Sequence, residues 1–367
     1  MSDFRVHNFA RILVEYSTSV KPGDKVGIIA SIAAEPVLKE LFALILARGA
    51  QPHFLIDLTD QDELFYQNAT DDLLEVTPFL HQIVFEQFDV LIKLRSETNT
   101  RALGSVDPEK QARRQKAMAR LIQAQMRRGA EGSLRWMSTL FPTSAYAMEA
   151  EMGYQAYQDF VYRACHADSE NPVAHWQKVQ AEQQILIDRI QGHDKVSLKG
   201  PNVDLTVSIK DRIFKNACGL TNMPDGEIFT GPVEDSVNGW VRFTYPAVYQ
   251  GRMVTGVELT FKDGKVIEAH ADQNEEFLLK MLEIDPGARY VGEFAIGTNY
   301  EINRFSRNIL FDEKIGGSFH MALGASYPET GGRNVSQIHW DMICDLHHDS
   351  QIALDGDVIY RNGYFIP

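Results

Sequence analysis

The first part of the chain repeats one order of hydrophobic and polar positions. Apolar residues recur at helical spacing over residues 4–17 and over 34–48, which predicts two amphipathic helices. Short apolar runs at 26–30 and 53–57 predict buried strands on either side of the second helix. Gly49 stands where a helix C-terminus favours glycine. A strand, a helix and a strand in this order predict a parallel sheet with a right-handed crossover.

The same order is then repeated. Helices are predicted at about 60–67 and 70–76, and a strand at 90–94. The turn after the first strand, at 30–34, lacks the glycines that bind a dinucleotide phosphate. We therefore expect an α/β N-terminal domain with a mostly parallel, Rossmann-like sheet and no dinucleotide site.

Two longer helices complete this half of the chain. Residues 108–128 predict a helix with many Lys and Arg side chains, which we interpret as a solvated face. A further helix is predicted at about 173–191, and a Gly-His-Asp turn ends it. We place the domain boundary there, with one domain at 1–192 and a second at 193–367.

The second domain consists of short strands and tight turns. Residues 203–209 alternate as a half-buried strand does, and 254–269 predict a hairpin around an Asp-Gly turn. A helix is predicted at 273–283 and another hairpin at 352–360. We expect an α+β C-terminal domain rich in antiparallel strands.

Composition narrows the classes of function. With 367 residues, 44% hydrophobic and 23% charged, the chain has ample material for two globular domains. A net charge of −14 argues against a nucleic-acid partner, because phosphates need a basic surface. The three cysteines form no CxxC motif, and neither a signal peptide nor an apolar run of membrane length is visible. We therefore expect a cytoplasmic protein with no membrane partner.

Candidate chemistry lies in four segments of the second domain, each with carboxylates or imidazoles at a strand-to-loop junction. The segments are 222–230, 291–295, 316–327 and 338–342. In the last of them, alternation places His339 and Asp341 on the same face of a predicted strand, close enough to bind one ion. Ile338, Trp340 and Met342 share the opposite face, which requires a core. A His–Asp ion pair on a solvent face is the alternative.

The other three segments contribute one candidate each. Glu293 lies in an apolar run, where a carboxylate without a partner is costly, so we favour a ligand there. Glu227 alone is typical of an exposed strand edge, and His320 alone is typical of a core histidine. Two carboxylates, a His and a His-x-Asp in order within one domain indicate a divalent metal site.

These four segments resemble the thermophilic-aminopeptidase family of dinuclear metallopeptidases. The likeness rests on Met-Pro-Asp-Gly-Glu-Ile-Phe-Thr-Gly-Pro, a Gly-Glu inside an apolar strand, His-x-Ala-Leu-Gly-x-x-Tyr and the terminal His-x-Asp, and it extends over nearly the whole chain. It implies five metal ligands and one active-site tyrosine. The implied ligands are Glu227, Glu293, His320, His339 and Asp341, and the tyrosine is Tyr327.

The resemblance also implies a function. It predicts an aminopeptidase with two divalent ions per chain (Zn, Co, Mn or Mg), peptide substrates with a free N-terminus, and a homodimer. Glu293 is our hypothesis for the bridging ligand, and Tyr327 for a donor to the oxyanion. Some members carry a further Glu before the His; Glu313 is the nearest position here and is left unassigned. The aromatic residues at 135–165 either pack a core or lie beside the active site.

Other functions stay open at this point. A non-catalytic peptide-binding or metabolite-binding protein needs only a cleft between domains. A dinuclear amidase uses a similar ligand set, because the same metal-activated water attacks any amide. A nucleotide-dependent enzyme on the N-terminal domain is disfavoured by the missing glycine-rich loop.

Overall fold

A computed structural model describes residues 3–367 of the chain. The chain divides into two compact units. The first extends to Gln177 and includes Gly219–Pro224, and the second comprises Lys178–Cys218 and Asp225–Pro367. The domain boundary predicted after residue 192 lies within the second unit and stays a prediction.

Strands are numbered in chain order over the described residues. They are β1 (Lys25–Ser31), β2 (Gln51–Asp57), β3 (Val90–Arg95), β4 (Arg135–Leu140), β5 (Lys195–Gly200), β6 (Val203–Ser208), β7 (Lys215–Ala217), β8 (Asn222–Met223), β9 (Glu227–Thr230), β10 (Asn238–Arg242), β11 (Ala247–Tyr249), β12 (Arg252–Val254), β13 (Glu258–Lys262), β14 (Lys265–His270), β15 (Val291–Gly297), β16 (Ser318–Gly324), β17 (His339–Asp345), β18 (Gln351–Leu354), β19 (Asp357–Arg361) and β20 (Tyr364–Phe365). Many are short, as the frequent turn residues of the second half predict.

The first unit contains a five-stranded sheet in the order β2-β1-β3-β4-β8. Every neighbouring pair in it is parallel. Val26, Ile28, Ile92 and Leu94 are buried in its centre, because a parallel sheet is covered by helices on both faces. The predicted Rossmann-like layout is confirmed.

The helices are also numbered in chain order. They are α1 (Phe4–Arg11), α2 (Glu35–Ala47), α3 (Gln61–Asn68), α4 (Asp71–Leu74), α5 (Phe79–Gln87), α6 (Pro108–Ala130), α7 (Ser144–Glu149), α8 (Tyr154–Ala164), α9 (Pro172–Ile190), α10 (Glu275–Leu282) and α11 (Ile309–Asp312). A π-helical segment, Ile12–Ser17, continues α1. Over the described part of the chain, no helix is both long enough and apolar enough to cross a membrane.

Helix α5 is one of several elements of the first unit that the sequence analysis did not predict; the others are β4, α7, α8 and β8. The first two residues of α5, Phe79 and Leu80, are exposed, whereas Val84 and Phe85 are buried. The apolar residues therefore do not form a single stripe, and the helical period is hidden.

The basic helix α6 only partly matches the prediction of a solvated face. Lys116, Arg120 and Arg127 are exposed. Arg128 is buried, however, and its guanidinium donates to the carbonyl of Phe85 at 3.0 Å. The prediction of a wholly solvated basic face is wrong for this residue, which joins α6 to α5.

Several tyrosine and cysteine side chains of the described residues are buried in the core. Tyr157 and Tyr162 of α8 are almost completely buried, which supports core packing for this part of the aromatic stretch. Cys165, Cys218 and Cys344 are buried as thiols, as the absence of a CxxC motif predicts.

The second unit is built of antiparallel strands. An eight-stranded sheet has the order β14-β13-β10-β6-β5-β18-β19-β20, and a five-stranded sheet has the order β17-β16-β15-β9-β7. Strands β11 and β12 form a separate hairpin. The predicted α+β unit rich in antiparallel strands is confirmed.

The five-stranded sheet of the second unit has one apolar and one polar face. Phe294, Phe319 and Trp340 are at most 1% exposed and belong to the core of this unit. Ile338 and Met342 lie in the same core as Trp340, as alternation along the strand predicts. The residues between them therefore point to the other face, where the candidate ligands lie.

Candidate metal centre

Strand register brings two of the candidate carboxylates together. Glu293 on β15 is paired with Ala322 on β16, and Ala322 is paired with Asp341 on β17. The three residues form one row across the polar face, with neighbours about 4.8 Å apart. The small side chain of Ala322 leaves room between the two carboxylates.

The position of Glu293 depends on an irregularity in β15. The register between β15 and β16 shifts between Val291 and Glu293, so that Gly292 forms a bulge. A bulge redirects the side chain that follows it. A Cβ atom on Gly292 would lie 2.2 Å from the carbonyl oxygen of Ala325, so only glycine fits there without a shift.

Glu227 and His320 also point to the polar face of the five-stranded sheet of the second unit. Glu227 begins β9 after the turn that contains Gly226, and it is paired with Gly297 of β15. His320 lies on β16 two positions before Ala322 and therefore points the same way. Both side chains are buried.

The four strands place the candidate ligand atoms within a few ångströms. Glu227 Oε2 lies 3.4 Å from His320 Nε2, and this nitrogen lies 3.6 Å from Glu293 Oε1. The other oxygen of Glu293, Oε2, lies 3.2 Å from His339 Nε2, which is 3.5 Å from Asp341 Oδ1. The structure thus brings together all five residues that the sequence singled out as ligands.

Two groups of three residues can be distinguished in this cluster. One comprises Glu227, Glu293 and His320, and the other comprises Glu293, His339 and Asp341. Within each group, the ligand atoms lie within 4.8 Å of one another. Glu293 belongs to both groups; its Oε1 faces His320 and its Oε2 faces His339.

The chemistry of the donor set fits a divalent cation. Glu227 Oε2 and Asp341 Oδ1 are buried acceptors with no hydrogen-bond donor among the described residues. Such atoms are costly unless something positive satisfies them. The Nδ1 of His339 donates to the carbonyl of Ala325 at 2.8 Å, which turns Nε2 towards Glu293. A histidine held through its second nitrogen in this way is typical of metal ligands.

The close spacing of carboxylates and imidazoles also shifts the pKa values of the cluster. Burial lowers the pKa of His320, but Glu293 and Glu227 outweigh burial and raise it to about 9. Burial raises the pKa of Asp341, but His339 outweighs burial and lowers it to about 2. Each imidazole thus retains a proton to balance the surrounding carboxylates. A divalent cation would take the place of these protons, because ligands bind metals in their deprotonated form.

A lysine that the sequence analysis did not identify lies beside this cluster. Lys314 is completely buried, and its Nζ lies 2.7 Å from Glu227 Oε1. The same ammonium contacts Glu313 Oε1 and lies 3.9 Å from Asp225 Oδ1. One oxygen of Glu227 is thus held by Lys314, while the other points to His320.

Glu313 also reaches the cluster. It forms a third group of potential ligand atoms with His320 and Asp341. Burial raises its pKa to about 8, although Lys314 opposes the shift. Sequence reasoning left Glu313 unassigned and missed Lys314. The available signal was a run of three charged residues, Asp312, Glu313 and Lys314, between the apolar segments 309–311 and 318–323.

Tyr327 lies next to the same histidine. Its ring is 5.1 Å from the ring of His339 and 5.6 Å from that of Phe229, in edge-on contacts. Burial raises the pKa of Tyr327, so that the phenol keeps its proton at neutral pH. The residue is therefore a hydrogen-bond donor beside the cluster.

Comparison with known proteins identifies the family. The family model described as thermophilic metalloprotease (M29) matches residues 2–365. The chain belongs to this family. It is therefore an enzyme of the metallopeptidase class, a hydrolase that acts on peptide bonds with a divalent metal cofactor.

Individual relatives agree with the family. Aminopeptidase 2 of Geobacillus stearothermophilus is 26% identical over 97% of this chain and 96% of its own length. Aminopeptidase T of Thermus thermophilus is 27% identical over 74% of this chain and 73% of its own length. Aminopeptidase PepS of Streptococcus thermophilus is 26% identical over 98% of both.

Solved structures show the same fold. Wild-type AmpT from Thermus thermophilus superimposes with a TM-score of 0.85 at 22% identity, covering 99% of both chains. A 2,5-dihydroxypyridine dioxygenase from Pseudomonas putida KT2440 has a TM-score of 0.57 at 12% identity, covering 99% of this chain and 96% of that one. At these identities the likeness concerns the fold, which supports many chemistries.

Proposed function

We propose that this M29 metallopeptidase is an aminopeptidase that uses two divalent ions per chain to remove the N-terminal residue of a peptide. The observation that carries the proposal is Glu293, which is shared by two groups of ligand atoms. Glu227 and His320 would hold one ion with it, and His339 and Asp341 the other. Two ions would supply a water of lowered pKa and polarise the scissile carbonyl.

The buried carboxylates of the cluster support metal cations. Asp225, Glu227 and Glu313 lie within 4 Å of the Lys314 ammonium, and Glu293 and Asp341 lie beside His320 and His339. Protons on the two imidazoles balance part of this negative charge, and divalent cations would replace those protons. Buried carboxylates left with neither protons nor cations would be costly.

Two residues would act on the reacting atoms. Tyr327 donates a hydrogen bond to the carbonyl oxygen as negative charge develops on it, a contribution of about 3–4 kcal/mol in comparable sites. Glu313 accepts a proton from the attacking water and passes it to the leaving amine. Burial raises the pKa of Glu313 to about 8, near the working pH that suits such a base.

Lys314 would serve as a positioning residue. Its ammonium holds one oxygen of Glu227, so that only the other is available to an ion. It also contacts Glu313 and keeps this carboxylate against the cluster. We propose that the lysine fixes both carboxylates and adds positive charge without occupying a ligand position.

The donor set bears on the native metal. Carboxylate oxygens and imidazole nitrogens without thiolate suit Zn, Co, Mn or Mg. The homodimer and the cytoplasmic location expected from the sequence stay predictions. Light scattering of the purified protein at several concentrations tests the first of these.

Hydrolysis of leucine anilide tests the proposed substrate class. The holoenzyme should cleave leucine anilide and fail to cleave N-acetyl-leucine anilide, because an aminopeptidase binds the free α-amine. Equal cleavage of both would favour a dinuclear amidase. Cleavage of neither anilide nor of any short peptide would favour a binding protein and contradict the proposal.

A further inference from the structure

A cavity lies in the first unit, at the carboxyl ends of its parallel strands. It has a volume of about 270 Å³ and is lined by the ends of β1, β2 and β3 and the loops that follow them. Strand β1 lies between β2 and β3, so that successive connections leave the sheet on opposite sides of β1. In open α/β sheets such a switch point is where small ligands bind.

One row of side chains crosses the sheet at this edge. Ser31 of β1 is paired with Asp57 of β2. On the other side, Ala30 is paired with Leu94, which places Arg95 of β3 beside Ser31. Neighbouring strands are about 4.8 Å apart, so the backbones of Asp57 and Arg95 are about 10 Å apart. An acid and a base thus flank a hydroxyl in the lining of the cavity.

The two cations on the β3 side lack a counter-ion among the described residues. Lys93 is half-buried one pleat before Arg95, and its ammonium lies 5.4 Å from the centre of the Trp136 ring. Neither Lys93 nor Arg95 forms an ion pair with another residue of the range 3–367. Burial, with a smaller effect of Arg95, lowers the pKa of Lys93 to about 8. A half-buried cation without a partner is unfavourable for stability.

The opposite side of the cavity is acidic. The carboxylate of Asp57 accepts a hydrogen bond from Gln61 Nε2 at 2.7 Å and forms no ion pair with Lys93 or Arg95. Further carboxylates follow it in the lining, and one follows β3. These are Asp60, Asp62, Glu63 and Glu97. Charges of both signs therefore share one cavity without neutralising each other.

Hydroxyl groups connect the two sides. The Oγ atoms of Ser31 and Ser96 lie 2.9 Å apart, and the backbone nitrogen of Ser31 donates to Ser96 Oγ at 3.0 Å. The Ser31 hydroxyl also caps the short 3₁₀ helix Ile32–Ala34. These bonds fix the polar floor of the cavity at the switch point.

We propose that this cavity binds a short zwitterionic peptide, with its carboxylate towards Lys93 and Arg95 and its ammonium towards Asp57. A simple anion such as phosphate would meet the carboxylates, and a simple cation would meet the two basic residues. A molecule with both charges complements both sides. The two ends of an extended dipeptide are about 7 Å apart, which suits charged groups anchored about 10 Å apart.

The site is distinct from the metal centre and needs no metal. Binding is measured by calorimetry on the full chain with D-alanyl-D-alanine as the probe. The probe is analysed afterwards to confirm that it has not been hydrolysed. Glu293→Gln serves as the background, because it disables the metal centre and leaves the cavity unchanged. Asp57→Asn and Arg95→Gln are then introduced into this background. Each removes one charge; asparagine keeps the shape of aspartate, and glutamine replaces the guanidinium by a neutral polar group.

We expect saturable binding to Glu293→Gln and at least about tenfold weaker binding to each double variant, since each lost charge removes one anchor. N-acetyl-D-alanyl-D-alanine and D-alanyl-D-alanine amide should each bind about tenfold more weakly than the zwitterion. The single variants Asp57→Asn and Arg95→Gln should hydrolyse leucine anilide as the wild type does. Absence of binding to Glu293→Gln, equal binding by the double variants, or equal binding of the acetylated probe would overturn the proposal. A failure of the metal centre to hydrolyse peptides would leave this result unaffected.

Discussion

Replacing Lys314 by Met tests whether the buried ammonium stabilises the carboxylates of the metal centre. Lys314 is completely buried, and three carboxylates lie within 4 Å of its Nζ. Methionine has a similar length but no charge. The variant leaves Glu227, Glu313 and Asp225 facing one another without their common cation.

The expected loss of stability follows from this geometry. Removing one partner of a buried ion pair typically costs about 3–5 kcal/mol, because the other charge is left without compensation. Burial lowers the pKa of Lys314, but Glu227, Glu313 and Asp225 outweigh burial and raise it above its usual 10.5. The stabilisation is therefore fully present below about pH 10.5 and is lost as the pH rises through the pKa of the folded state. At pH 7.5 the full effect should appear.

Urea denaturation of the chelator-treated protein measures this loss. Lys280→Met is the matched control, because Lys280 forms only an exposed ion pair with Glu276 at 2.6 Å. Such a pair contributes little to stability, because water screens it. We expect Lys314→Met to lose about 3–5 kcal/mol and Lys280→Met almost nothing. Equal stability of the two variants would refute the reasoning.

Three further changes test separate parts of the account. Tyr327→Phe should lower kcat for leucine anilide by about 10²–10³-fold while the metal content stays unchanged, and an unchanged kcat would exclude the tyrosine as a donor. Gly292→Ala should lower the free energy of unfolding by about 1–3 kcal/mol, because its Cβ would lie 2.2 Å from the carbonyl oxygen of Ala325. Gly153→Ala, whose Cβ has no neighbour within 4 Å, is the control and should change it by less than about 1 kcal/mol. Lys93→Met should raise the melting temperature at pH 7, because the half-buried lysine is charged there. This gain in melting temperature should shrink as the pH rises from about 8 to 10.5, where the lysine loses its proton. A gain that does not change with pH would show that the charge is not the cause.

Sequence periodicity predicted the parts of the fold that depend on one strand at a time. Alternation in 337–346 was sufficient to place Trp340 in the core and His339 with Asp341 on the opposite face. The parallel first sheet followed from the order of strands and helices. Such features are local, because side chains on a strand alternate whatever lies next to it.

Features that depend on several strands could not be predicted in the same way. The two-sided position of Glu293 depends on the bulge at Gly292 and on its register with β16. Lys314 lies beside Glu227, 87 residues away in the chain, and only the folded structure joins them. The cavity at the end of β1 combines side chains from three strands, none of which is unusual alone.

The number of metal ions per chain tests the central claim most directly. The protein is loaded with Zn, Co or Mn, dialysed, and analysed by elemental mass spectrometry. We predict close to two ions per chain for the wild type and for Glu268→Gln, which alters an exposed carboxylate on β14. Glu293→Gln should retain less than one ion, because both groups of ligands lose their shared member. A single ion in the wild type, or two ions in Glu293→Gln, would contradict the account.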